Sequence, residues 1–267
     1  MSEELLRNWW EELLQVHEFA HYHTYATDLT CREVDFLAEA LSLRGSETIL
    51  DLACGGGRHS LELARRGLTV VGFDAATSVL AHAQAQATTE GLSIEFVHGD
   101  MCALPYEARF DAILVLNSSF GFFDDLTNAA VIARCAQALA PGGRLLLQCI
   151  NPYQISAYLR DFRTGWYRIG AGYVLREAHF APREAVLHIG YRYLDPAQGL
   201  EAAHPGDSIR LYGFPELRRM LTDAGLRPLS VFGDAVLPPV IFDEQSQWQV
   251  VLAVKDPPSL VADEEDG

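Results

Sequence analysis

A chain of 267 residues, 49% hydrophobic with 21 Gly and 12 Pro, is long enough for one to two domains and is composed as a packed globular protein, not a disordered or fibrous one. Its 36 acidic and 20 basic residues leave a net charge of −16, and a surface that negative repels phosphate backbones, which argues against a nucleic-acid partner. The only lysine is Lys255, which excludes a Walker-type Gly-Lys-Ser/Thr loop and a Schiff-base lysine in the body of the chain. Five cysteines without a Cys-x-x-Cys pair, a start without signal-peptide character and no apolar run near the ~18 residues of a membrane span predict a cytoplasmic protein with no membrane partner.

In chain order, residues 3–19 carry Leu5, Leu6, Trp9, Trp10, Leu13, Leu14 and Val16 at helical spacing. A second helix is expected after Thr30, where Thr30-Cys31-Arg32-Glu33 has capping-box form, running to about Leu43 with Gly45 as its stop. From residue 47 the period changes. Strand-like runs at 48–52, 68–73, 93–98, 110–116 and 144–150 alternate with Ala-rich helical stretches at 58–66, 77–90 and 125–140, the pattern of βαβ units around a parallel sheet. The alternation then breaks. Residues 172–180, 184–194 and 207–212 read as antiparallel strands, the last two separated by a loop over 195–206. A helix from Phe214 to Ala224 and strands at 227–233 and 247–254 return to the α/β pattern, and a like-charge run closes the chain.

The sharpest local signal is ILDLACGGGRHS, residues 49–60: strand, glycine turn, helix start. Such a turn lets the backbone approach a ligand, and the helix N-terminus that follows favours an anionic group. Asp74 ends the second strand-like run, where an acid would bind a ribose diol, and Asp100 follows the third, where it would accept from an adenine amino group. These are strand carboxyl ends, where open α/β sheets bind ligands. Ser60 stands where a dinucleotide fingerprint has its third glycine, and Asp51 ahead of the loop suits a ligand bearing an ammonium group.

Those residues resemble class I S-adenosylmethionine (SAM)-dependent methyltransferases, whose signature is Asp/Glu-x-Gly-x-Gly-x-Gly, then an acid after strand 2 and Gly-Asp after strand 3. Here they are Asp51-x-Ala53-x-Gly55-x-Gly57, Asp74 and Gly99-Asp100-Met101, with Ala53 replacing the first glycine. FDAILVLNSSFGFF (110–123) is similar to a segment of bacterial small-molecule methyltransferases, and the layout resembles amino-sugar N,N-dimethyltransferases. The resemblance implies an α/β, Rossmann-like fold: a mostly parallel seven-stranded sheet with helices on both faces, an N-terminal helical lid and a small antiparallel insert after strand 5. It implies a lid over 1–46, a SAM-binding domain over 47–150 and 213–256, a β-rich substrate cap over 151–212 and an acidic tail over 257–267. It also implies SAM as cofactor and methyl transfer to a nitrogen or oxygen atom of a small molecule.

By the same resemblance, Gly55 and Gly57 approach the methionine portion, Asp74 holds the ribose hydroxyls, and Asp100 with the Met101 N–H reads adenine; Asp51, Ala53 and Ala75 are further cofactor-binding candidates. Asn117 sits near the methionine ammonium. Arg58 meets the SAM carboxylate or lies at the surface; both roles stay open. Tyr22 and Tyr25 of the lid close over the cofactor or pack. His23 in the lid and His179 and His188 in the cap are candidate general bases, and Phe120, Trp166 and Tyr173 candidate substrate contacts. Two other readings remain open: a SAM-binding protein with a non-methylating or regulatory role, and a zinc hydrolase using the string His17-Glu18-x-x-His21. No metal is expected on the preferred reading.

Overall fold

The computed structural model describes residues 27–169, 172–195 and 200–257. Five strands alternate with helices as the sequence pattern requires: β1 (Thr48–Leu52), β2 (Thr69–Asp74), β3 (Ile94–His98), β4 (Phe110–Val115) and β5 (Leu139–Ile150). The helices are α1 (Thr27–Ala40), α2 (Arg58–Arg65), α3 (Thr77–Glu90) and α4 (Asp125–Ala138). After an insert, α6 (Phe214–Asp223), β10 (Leu226–Phe232) and β11 (Trp248–Lys255) complete a seven-stranded sheet in the order β10-β11-β5-β4-β1-β2-β3. Only β11 runs against its neighbours, pairing antiparallel with both β5 and β10.

Alternation along each strand divides the core in two. Ile49, Val70, Leu114 and Leu146 pack under α1 and α2, where Val34, Phe36, Leu37 and Leu63 are fully buried. Their neighbours Leu50, Val71, Ile113 and Leu145 face the other way and pack under α4 and α6 through Val131, Ile132, Leu217 and Leu221. Helix α1, grouped by sequence with the lid, is thus a layer of the sheet domain. It also starts earlier than Thr30, so Thr30 and Glu33 lie inside it and form no capping box; Glu33 turns to α2 instead. Strand β5 begins at Leu139, ahead of the expected Pro141 stop, because Leu139 pairs with Phe110 before the register shifts.

The insert holds two elements absent from the sequence-based expectation, α5 (Ile155–Phe162) and β6 (Thr164–Ile169), followed by β7 (Gly172–Ala181), β8 (Val186–Asp195) and β9 (Leu200–Arg210). These four strands form an antiparallel sheet in sequence order. Strand β9 reaches back through the expected 195–206 loop. Its Pro205-Gly206 pair is accommodated by a bulge opposite Gly190, and a Cβ on Gly206 (φ +72°) would fall 1.6 Å from the Ile189 carbonyl oxygen. One face of this sheet, with Ala178, Leu187, Ile189 and Ile209, closes on α5, Phe122, Ile150 and Trp248. The insert therefore stands beside the carboxyl ends of β4 and β5. Among the described residues no helix is long and apolar enough to cross a membrane.

Candidate functional site

The strand order reverses between β1 and β4, whose next partners lie on opposite sides. At the carboxyl end of such a switch the loops part and leave a crevice. Beyond Leu52 the chain turns through Ala53 (φ +60°), Gly55 (φ +54°) and Gly57 (φ +75°), the last being the N-cap of α2. A Cβ on Gly57 would lie 2.9 Å from the Ala83 Cβ and 3.2 Å from the Phe96 ring, so only glycine fits. Ala53 holds the same left-handed backbone with a side chain, at a cost of roughly 1 kcal/mol.

Asp74 organises this loop. It is buried; Oδ2 accepts from the Gly55 N–H (2.8 Å) and Oδ1 from the Ala76 N–H (2.9 Å). Burial pushes its carboxyl above the usual range, with the charge of Asp51 adding to the rise, although the backbone N–H groups pull the other way. Asp51, also buried, accepts from the Ser60 hydroxyl at 2.6 Å, fixing the first turn of α2 to β1. Asp100 is exposed and accepts from the Cys102 N–H at 2.8 Å, capping the short 3-10 turn Met101–Ala103. His98 hydrogen-bonds the Ala75 carbonyl at 2.9 Å and joins the ends of β3 and β2.

After β4, Asn117 and Ser118 are both left-handed (φ +53° and +59°). Two successive non-glycine residues in that region store strain that neighbours must hold. Gln148 of β5 does so: its Oε1 accepts from the Asn117 N–H and its backbone carbonyl from the Ser118 N–H, each at 3.1 Å. Sequence reading passed over Gln148; the signal was a polar residue within the apolar run RLLLQCI. A cleft of about 670 Å³ opens here, lined by Asp51, Ala53, Gly55, Arg58, Asn117 and Ser119, and it continues along α3 to His82 and Gln86. Asp74 and Asp100 stand on the adjoining strand ends, outside that lining.

Residues 49–143 match a family model described as a methyltransferase domain. A ubiquinone biosynthesis O-methyltransferase of Nitrosococcus oceani is 30% identical over 206 residues, spanning 73% of this chain and 74% of the relative. The chain belongs to the class I SAM-dependent methyltransferases. It is an enzyme, and SAM is its methyl donor. Solved structures share the fold: a SAM-dependent methyltransferase of Clostridium acetobutylicum (TM-score 0.72, 14% identity, 92% of this chain and 99% of that one), and a SAM-bound amino pentose methyltransferase of Micromonospora echinaspora (TM-score 0.63, 22% identity, 90% and 96%).

In this methyltransferase Arg58 does not lie loose at the surface. Its Nη1 donates to Glu33 and to the Thr30 hydroxyl (3.1 Å), while His59 Nε2 lies 3.0 Å from the same Glu33 oxygen. Phe120, expected against substrate, is instead a core residue, 2% exposed and packed on Tyr212 at 5.7 Å. The insert candidates share one place. Trp166, Tyr173, His179 and His188 all lie on the exposed face of the antiparallel sheet, away from the face that packs on α5. The two histidines oppose each other across β7 and β8 with ring centroids 6.0 Å apart, and His188 Nδ1 meets the Ser208 hydroxyl at 2.9 Å. None of the four lines the cleft. His17, Glu18, His21, Tyr22, His23 and Tyr25 lie outside the described residues.

Proposed function

We propose that the methyltransferase transfers the SAM methyl group to a nitrogen or oxygen atom of a small molecule. One observation carries the reading: Asp51, Asp74, Asp100 and Asn117 sit at the carboxyl ends of four adjacent strands around a positive-φ loop. That array matches a nucleoside with an amino-acid tail. Asp74 receives the ribose hydroxyls, flanked by Ala75, and Asp100 with the Met101 N–H receives adenine. Asp51, Ala53, Gly55, Gly57 and the Asn117 carbonyl surround the methionine part, and Arg58 meets its carboxylate. Support for a small acceptor comes from the net charge of −16, which disfavours a polyanion, and from the β-rich insert standing as a cap beside the β4 and β5 ends. The Nitrosococcus relative is named for O-methylation in ubiquinone biosynthesis and a fold neighbour for an amino pentose, both small acceptors.

Methyl transfer from a sulfonium is an in-line displacement, so the protein's main task is alignment, worth up to roughly 7–11 kcal/mol. The strained Asn117-Ser118 turn held by Gln148 is a rigid wall for that purpose. The experiment is incubation with methyl-labelled SAM and a library of small amines, phenols and hydroxylated sugars. Label recovered in a product is the expected result. SAM bound with no label transferred to any acceptor would favour a non-methylating role.

A further inference from the structure

The sequence Thr30-x-x-Glu33, which does not cap a helix, has another use. Residues three apart on a helix share a face, and on α1 this pair meets the first turn of α2. Thr30 and Glu33 both accept from one nitrogen of Arg58, and His59 shares the Glu33 oxygen. Thr30, Glu33 and His59 are all buried. Burial pushes the Glu33 carboxyl up, but hydrogen bonds from His59 and Arg58 outweigh it and hold it below the usual carboxylate range, so it is ionised at neutral pH. Thr30, Arg58 and His59 line the cleft; Glu33 stands behind them.

A buried ion pair is costly to desolvate and adds little stability over an apolar substitute. An arginine side chain, by contrast, carries rotamer entropy, which a ligand must otherwise overcome on binding. Fixing Nη1 in advance removes that cost at the cleft wall. We infer that Glu33 is a positioning residue, which together with Thr30 pre-orients the Arg58 guanidinium toward the carboxylate of the methyl donor; this rests on the proposed role of Arg58. Glu33 of helix α1 thereby controls the affinity for the amino-acid end of the cofactor from behind the cleft wall.

Calorimetry on the full chain with S-adenosylhomocysteine and with 5′-methylthioadenosine, which lacks the amino-acid tail, tests this. Arg58→Ala should weaken S-adenosylhomocysteine by about 10- to 100-fold, the loss of a charge-assisted contact, and leave methylthioadenosine within about 2-fold. Glu33→Ala should weaken only the first ligand, by about 10-fold, and Glu33→Gln should recover most of it, because its amide oxygen still accepts from Nη1. If Arg58→Ala fails to separate the two ligands, the role of Arg58 is wrong. If it separates them and Glu33→Ala does not, or if Glu33→Ala weakens both alike, Arg58 stands and the positioning role of Glu33 is overturned.

Discussion

Along the carboxyl edge of the seven-stranded sheet, polar groups are matched to the backbone: Asp74 to Gly55 and Ala76, Asp100 to Cys102, Gln148 to Asn117 and Ser118. The insert is built differently. Between its sheet and α5 lie Tyr158, Arg176, Tyr191 and Asp207, and Asp207 Oδ1 is shut from solvent with no hydrogen-bond partner among the described residues. At this edge Asp74, Asp100 and Gln148 are each anchored by main-chain N–H groups, and Asp51 by the Ser60 hydroxyl. The insert buries an acid whose partners, Arg176 and Tyr191, do not offset the cost of its burial.

The contrast can be broken from either side. Asp74→Ala should have the largest effect, since it removes the proposed ribose contact and frees two loop N–H groups together. S-adenosylhomocysteine affinity should fall by more than about 100-fold in calorimetry, as expected for two or more charge-assisted bonds. Gln148→Ala comes next. It orphans the Asn117 N–H, worth about 1–3 kcal/mol, and should lower kcat/KM about 10-fold while a sheet-wide probe such as far-UV dichroism stays unchanged.

Asp207→Asn tests the insert. Burial outweighs the attraction of Arg176 and the Tyr191 hydrogen bond, and the Asp207 carboxyl is pushed up from 3.8 to about 7. A group raised on folding contributes stability that is fully present below its unfolded value and lost as pH climbs through its folded one. Wild type should therefore lose ground to Asp207→Asn between about pH 4 and pH 8, a relative gain of a few degrees in Tm for the variant at the alkaline end. An equal Tm difference at pH 5 and pH 8.5 would remove the buried acid from the account. The smallest effect belongs to Ala53→Gly, which relieves a left-handed alanine and should add about 0.5–1 kcal/mol, read as a higher midpoint in urea.

The same contrast governs what was legible in sequence. Strands β1, β2 and β4 were readable because both their faces are largely buried, leaving runs rich in apolar residues such as TILDL and FDAILV. The residues at their ends, Asp51, Asp74 and Asn117, stood out as polar groups at the close of apolar runs. Helix α5 is only eight residues long, and β6 mixes Gly165, Trp166 and Arg168, so neither carries a periodic signal. Strand β9 was hidden by Pro205-Gly206, because a bulge cannot be read from residue types alone. Thr30-x-x-Glu33 misled for a further reason: local spacing fits a cap, but Arg58 and His59, distant in sequence, supply better partners.

Crystals of the full chain grown with S-adenosylhomocysteine address the central claim most directly. The account predicts density for the nucleoside across the ends of β1, β2 and β3, with both ribose hydroxyls on the Asp74 carboxylate and the adenine amino group at Asp100. Density for the ligand elsewhere, with the Asp74 carboxylate still held by loop N–H groups alone, would contradict it.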